Sequence, residues 1–567
     1  MTPKQKWLLA GIILLAIGFR FYQIKTMPGG LFPDEAANGL DINLMEQGHL
    51  QPFYERGNGR EALFFYMEWA SVAAFGKGPW QHHIVSATVG VVGVLGCFLV
   101  TQKLFTLFGK KREEDDADPS GALAVKSRAT NLALLASFFM AVSSWHVVLS
   151  RTAFRANLIP MFAGFTFYFG LLAFSAPTRA KRYMWSIITG ATFALGFYSY
   201  IAYRIMAPLI VVALLWPIAV DLFKTPRFAQ IKKFFGPFVA LCVAFIIFIA
   251  PIAYYFWTHA GSFIGRSGQV SVFNPELNQG NLIGTIIEVF KQSMLAYFYH
   301  GDLNWRHNIS GQPFLSIIIS PFFAIGLIGI TALAARYAFT PIKNKADWKY
   351  FLLAGWFWAM LIPVVTTAEG IPHGLRSVGA IPEVFIITAV GLVWVLGLSG
   401  KVVKKFWPML NPWQKQVLNF AFGLKTVAFI LALILQTYFL YFIYAANSPE
   451  NFYAFRSDLT PVSEYLKQTG SKTNTYLILD KFSIQTVDYI TAVDGAHPDN
   501  PKNQPYQQVD PENSWELQNL KRGDRIVFTQ SSIFDIKKFK QFHANAKLTL
   551  EQRNKFNQTV MAVYTIQ

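Results

Sequence analysis

The chain has 567 residues and a formal charge of +18, is 53% hydrophobic and 16% aromatic, and carries only 14% charged residues. So few charges and so many aromatics exclude a soluble protein of this size. Nor does the basic balance point to nucleic acid. Lys and Arg sit in short clusters between apolar runs, as topology signals do, and not along a phosphate-binding stripe.

The chain opens MTPKQKWLLAGIILLAIGFRFY, a basic start followed by a long apolar run without a small-residue cleavage site. This predicts an uncleaved first span at 7–22. Next comes GGLFPDEAANGLD, with Asp34 and Glu35 directly after Pro33. The following GREALFFYMEWASVAAFG is apolar but interrupted by Glu61 and Glu68, and reads as an amphipathic helix lying on the outer surface. Apolar runs able to cross a ~30 Å core recur at 84–108, 129–149, 158–174, 184–201, 205–222, 234–257, 314–335, 350–365, 382–398 and 417–445.

With the N-terminus inside, every second connection is basic: FGKKREEDDADPSGALAVKSR, PTRAKRY, FKTPRFAQIKK, RYAFTPIKNKADWK and GKVVKKFWPMLNPWQKQ. REEDDADPSG within the first of these reads as a solvated charge run. Eleven spans predict a mainly α, polytopic helical membrane protein of the cytoplasmic membrane, with its tail outside the cytoplasm. In that tail TYLILD, DRIVFT and VMAVYTI read as buried strands, and IFDIKKFKQFHA as helical. The expected organisation is a membrane domain at 1–445 and a small extracytoplasmic α/β domain at 446–567. The tail carries no nucleophile elbow, P-loop or Cys/His metal spacing. Cys97 and Cys242 lie inside apolar runs, so no structural disulfide is expected.

Polar groups gather in the connections on the outer side. The first holds Asp34, Glu35, Asp41, Glu46, Glu55, Arg56 and Arg60; SRTAFRANLIP brings Arg151 and Arg155; a short one holds Arg204. YHGDLNWRHNISGQP brings His300, Asp302, Asn304, Arg306 and His307, and TTAEGIPHGLRSVGAIP brings Glu369, His373 and Arg376. A guanidinium fork matches phosphate oxygens, so Arg at an apolar boundary suits an anionic lipid headgroup. A carboxylate there can take the proton of an acceptor hydroxyl if desolvation or a neighbouring carboxylate lifts its pKa. Together these fit group transfer from a lipid-linked phosphate. The same residues have plainer readings. Arg155 and Arg204 suit interfacial anchors, Asp34 and Glu35 suit a solvated turn or a cap for AANGLDINLME, and His307 and His373 suit ordinary loop residues. A transporter or flippase of a lipid-linked or anionic substrate is the rival class, and a non-catalytic scaffold a third. The missing internal repeat and the charges at outer span ends weigh against transport.

The order LFPDEAANGLDINLM, then REALFFYMEWASVAAFG, then a span ending in basic residues resembles the opening of GT-C glycosyltransferases. The likeness is to the bacterial branch related to dolichyl-phosphate-mannose protein mannosyltransferases and aminoarabinose lipid A transferases. SRTAFRANLIP resembles that group's Arg-bearing start of the fourth span. GDLNWRHNISGQPFL and GLRSVGAIPEVFIITAVGL resemble loops of a bacterial subgroup that carries a small α/β outer domain. The resemblance covers nearly the whole chain and rests on the order of features, since no single motif is specific.

It implies a sugar donor linked to a polyprenyl phosphate and an acceptor hydroxyl on a protein, lipid or glycan. Asp34 would be the catalytic base, and Glu35 its partner in positioning the acceptor or a divalent metal. Such an ion, Mg or Mn, is left open, because the mannosyltransferase branch generally works without one. Arg376 would bind the carrier phosphate, assisted by Arg151, Arg155 or His373, with Asp302, Arg306 and His307 completing the substrate-binding set. The phosphate leaves as a stable anion, so one carboxylate suffices for an inverting in-line displacement, where a glycosidase needs two.

Overall fold

The structure is a computed structural model and describes residues 1–109, 121–221, 229–263, 270–341, 344–469, 474–492, 505–513 and 517–567. The charge run from Arg112 to Ser120 lies outside the described residues. The chain forms two compact units. One comprises Met1–Tyr22, Ser86–Ser150 and Arg155–Ile443; the other comprises Gln23–Val85, Arg151–Phe154 and Tyr444–Gln567.

The first unit is helical. Among the described residues, seven helices are long and apolar enough to cross a membrane. They are Pro79–Leu107, Arg155–Phe174, Lys233–Thr258, Ser320–Phe339, Trp348–Val365, Glu383–Met409 and Pro412–Asn447. The four remaining expected spans are helices too: Pro3–Phe21, Gly121–Ala141, Arg179–Gly196 and Met206–Asp221. This is a multi-pass membrane protein. Local sequence sets the helix starts. Thr2 and Gln5 form a reciprocal capping box, Asn411 and Gln414 form another, and Thr178 accepts from the Lys181 amide.

Two boundaries differ from the sequence pattern for visible reasons. The run expected at 129–149 breaks after Ala141, because Ser143 accepts from the His146 amide and starts a new helix, Ser144–Leu149. The carbonyls left over at Met140 and Ala141 accept from the buried Arg20 guanidinium, at 3.3 and 3.1 Å. The run expected at 314–335 becomes a helix only at Ser320, with Pro321 in its first turn.

Helices Ser320–Phe339 and Glu383–Phe406 cross through Gly326 and Gly391. A Cβ at either position would overlap a carbonyl of the facing helix, Ile387 or Phe322. Without a hydrophobic drive between helices in lipid, such backbone approach supplies the packing.

The second unit comprises the connection after the first helix together with the tail. Helix Pro33–Glu46 leads into a two-strand hairpin, β1 (Phe53–Tyr54) with β2 (Arg60–Glu61), and then helix Leu63–Phe75. That helix has 13 residues, too few to cross a membrane. The tail holds a five-stranded sheet of β3 (Thr475–Ile478), β4 (Gln507–Val509), β5 (Arg525–Thr529), β6 (Ala546–Arg553) and β7 (Thr559–Ile566), in the order β4-β3-β5-β7-β6. The three expected strands are its three central ones. β3 runs parallel to β4 and β5, whereas β7 is antiparallel to β5 and β6.

Alternate residues of these strands feed two cores. Leu477, Val527, Met561 and Val563 pack with Leu459, Val462 and Val487 from two helices; Ile526, Phe528 and Tyr564 pack with Phe539 from a third. Burial on both faces explains why TYLI reads as a continuous apolar run.

Gly391→Val forces a branched side chain into the backbone crossing, at a cost of about 1–3 kcal/mol. The expected outcome is a lower thermal unfolding midpoint for the detergent-purified protein, whereas Val393→Ala, at an exposed position of the same helix, leaves it near wild type.

Candidate functional site

In the second unit the adjacent carboxylates of the first connection separate. Pro33 opens the helix, and Asp34 and Glu35 fall in its first turn. Consecutive helical positions point about 100° apart, so the two side chains face different surroundings. Asp34 is exposed and Glu35 fully buried. Glu35 Oε2 accepts from the Phe32 amide at 2.9 Å, and Oε1 from the Ala153 amide at 2.6 Å. His83 Nε2, also fully buried, lies 3.5 Å from Oε1. Burial alone would raise the Glu35 pKa, but His83 and the two amides more than offset it and hold the carboxyl below its ordinary range. Glu35 is thus the helix cap that the sequence allowed, and also ties in the Arg151–Phe154 segment.

The exposed Asp34 sits on a helix braced along its length. Arg60 donates to the Asp34 carbonyl at 3.3 Å, to Asn38 Oδ1 at 2.7 Å and to the Ala37 carbonyl at 3.3 Å, and pairs with Asp41. Arg56 Nε pairs with the other Asp41 oxygen at 2.9 Å. Burial of Asp41 raises its pKa despite both guanidiniums. Arg151 is fully buried and donates to the Met27 carbonyl at 2.7 Å.

On another side of this helix, the ring of tail residue Tyr489 fills the space that a Cβ at Gly39 would take. The Tyr489 hydroxyl lies 2.8 Å from His82 Nε2, and His82 Nδ1 lies 2.9 Å from Glu68 Oε1. All three side chains are buried, and Glu68 Oε2 has no hydrogen-bond partner. Desolvation pushes the Glu68 carboxyl up to about 7, against the pull of His82. Further tail contacts reach the preceding turn: Ser457 Oγ donates to the Pro28 carbonyl at 3.0 Å and Thr486 Oγ1 to the Leu31 carbonyl at 2.9 Å. Phe482 meets Phe32 edge-on, with ring centroids 5.6 Å apart.

The helical unit gathers Asp302, His307, His373 and Arg376. Asp302 Oδ2 accepts from His307 Nδ1 at 2.9 Å and from the Gly374 amide at 2.7 Å. The His307 and His373 rings stack, with centroids 4.5 Å apart and planes 21° apart. Burial lowers the His307 pKa, helped by Arg306 and Arg376 and opposed by Asp302. Arg376 is buried, and its Nη2 pairs with Glu369 Oε2 at 3.0 Å. Arg155 lies elsewhere in this unit, its guanidinium 5.3 Å from the centre of the Tyr200 ring.

Asp302, His307 and His373 bring ligand atoms within 4.8 Å of one another, a spacing that could hold a metal ion. An imidazole lone pair lies in the ring plane, so an ion between two nearly parallel rings requires one of them to turn. Two imidazoles also suit a transition metal better than Mg. Asp34 and Glu35 do not share a direction from which both could hold an ion, and both Glu35 oxygens already accept amide protons.

The residues missed in the sequence are the buried partners: His82, His83, Glu68, Tyr489 and Arg20. The neighbouring histidines in WQHHIV at the head of a span were the available signal, since buried ionisable groups there need partners.

The helical membrane unit and the small α/β tail have a fold of the GT-C glycosyltransferase type. The chain is similar in structure to ArnT from Cupriavidus metallidurans in the apo state, with a TM-score of 0.54 and 12% identity over 100% of this chain and 99% of that one. It is likewise similar to the same ArnT bound to undecaprenyl phosphate, with a TM-score of 0.53 and 11% identity over 99% and 97% of the two chains. No protein-family model and no curated protein matches the sequence.

Glu68 supplies a pH test. Its carboxyl binds a proton more tightly in the fold than its ordinary value of 4.5 allows, so between pH 4.5 and about 7 the folded state holds more protons than the unfolded one. Its contribution to stability is full below 4.5 and is lost as pH rises through about 7. Thermal unfolding of wild type and Glu68→Gln across pH 4.5–8 is expected to show a decline in wild type that is smaller in the variant.

Proposed function

We propose that the protein is a membrane glycosyltransferase that moves a sugar, of hexosyl type, from a polyprenyl-phosphate carrier to an acceptor hydroxyl on the extracytoplasmic face. The observation that carries this reading is the exposed Asp34 beside the buried, doubly bonded Glu35, on a braced helix in a GT-C fold. The likeness to ArnT bound to undecaprenyl phosphate supports the choice of carrier, and the basic alternate connections support the orientation.

Asp34 takes the proton of the acceptor hydroxyl as its oxygen attacks the anomeric carbon in line. The bond from that carbon to the phosphate oxygen breaks, its electron pair leaves with the phosphate, and the configuration inverts. Arg376 stabilises the departing anion, with His373, Arg306, His307 and Asp302 around it. Glu35, Arg60 and Asp41 hold the Asp34 helix in register, and no step needs a metal. With this reading goes a division into a catalytic membrane part at 1–445 and an outer part at 446–567, which differs from the two compact units in that Gln23–Val85 and Arg151–Phe154 cluster with the tail.

Asp34→Asn keeps the shape and removes the base, so sugar transfer falls by about 10²–10⁴-fold while the thermal unfolding profile stays near wild type. Mass spectrometry of lipid extracts from cells carrying the variant is expected to show accumulated sugar-carrying polyprenyl phosphate. Unchanged carrier lipids in those cells, with the protein folded, overturn the reading and favour transport or a scaffold.

A further inference from the structure

Arg376 is bound in an asymmetric way. Its own segment is fixed: the Ser377 hydroxyl donates to the His373 carbonyl at 3.0 Å, Trp145 Nε1 donates to the Gly374 carbonyl at 3.2 Å, and Asp302 holds the Gly374 amide. The guanidinium side chain is only 10% exposed. Its acidic partner is not buried. The Glu369 side chain is 55% exposed, and the Glu369 backbone carbonyl accepts from the same guanidinium at 2.5 Å. Gly370, next in the chain, has a φ of +62°, so the backbone turns sharply just after Glu369.

The energies of the two partners differ accordingly. A guanidinium buried to this degree is expensive to leave uncompensated. A half-exposed carboxylate returns to water at little cost, because surface ion pairs contribute about 1 kcal/mol or less. Carboxylate and phosphate present comparable oxygen pairs to the guanidinium fork. One anion can therefore replace the other while Arg376 stays paired.

We infer that Glu369 is an internal competitor for the phosphate that Arg376 binds, so that the lipid-linked donor engages by exchange of one anion for another. The inference rests on the reading of Arg376 as the phosphate ligand. It makes the half-exposed Glu369 side chain the group that yields as the phosphate enters. It also makes donor affinity a net quantity, the phosphate's pairing less that of Glu369.

The test is a titration of the full-length protein in detergent with undecaprenyl phosphate, with inorganic phosphate and phosphatidylglycerol as separate arms. Glu369→Gln keeps size and removes charge at an exposed position, and is expected to bind undecaprenyl phosphate about fivefold tighter than wild type, the factor a released half-exposed ion pair supplies. Arg376→Ala is expected to weaken binding and to abolish the effect of Glu369→Gln in the double variant. Tightening toward inorganic phosphate as well supports a seat for the phosphate group itself. If Glu369→Gln binds no tighter while Arg376→Ala still weakens binding, the competitor role is overturned and the phosphate assignment stands. If Arg376→Ala leaves wild-type affinity unchanged, the phosphate assignment itself fails. Equal tightening toward phosphatidylglycerol overturns the carrier as the occupant.

Discussion

The second unit depends on the Glu35 carboxylate. Without water to stabilise it, a fully buried carboxylate survives in the charged form only where donors or positive charge stand close, and here two backbone amides donate to it and the His83 ring stands 3.5 Å away. These groups come from three stretches of chain: the turn before the helix, the short segment at Ala153, and the head of the helix Pro79–Leu107. One side chain thus fixes the start of the helix on which Asp34 is displayed. An apolar residue there would leave both amide donors without this acceptor, and for the buried Ala153 amide that loss is about 1–3 kcal/mol.

The adjacent acids illustrate how one dipeptide can divide its work. Helical geometry alone sends successive side chains in different directions, so the inner carboxylate becomes a structural ligand of the backbone while the outer one is exposed. Arg60 and Asp41 continue the bracing one and two turns along, with carbonyl oxygens as well as side chains as partners. Rigidity of this sort is what the proposed role of Asp34 as a base would require, since a base has to meet its hydroxyl at hydrogen-bond distance.

Much of the architecture was legible because it rests on local periodicity. All eleven apolar runs became helices, and TYLI, RIVFT and VMAVYTI became the middle of the tail sheet, since length and continuous burial leave marks in sequence. The edge strands were not legible. β6 is exposed at all but its first residue, so AKLTLEQR carries no run of apolar residues to betray it, and β4 is three residues long. The break after Ala141 was hidden as well, because the Ser143 cap that starts the next helix sits within an apolar run and the carbonyls left over find Arg20 more than a hundred residues away. At the candidate site, Asp34, Arg376 and their loops stood out by charge at span ends. His82, Glu68 and Tyr489 did not, because each looks ordinary until its partners are in view.

The seat of Tyr489 against Gly39 has a consequence for how the protein is made. Tyr489 lies 407 residues downstream of His82, its hydrogen-bonding partner. The first connection is therefore synthesised well before the ring that fills the space at Gly39 and the strands of the tail sheet. Until then Glu68 and His82 lack their closing partner, and the connection has to wait in an incomplete state. Termination before Tyr489 therefore damages the first connection as much as the tail itself.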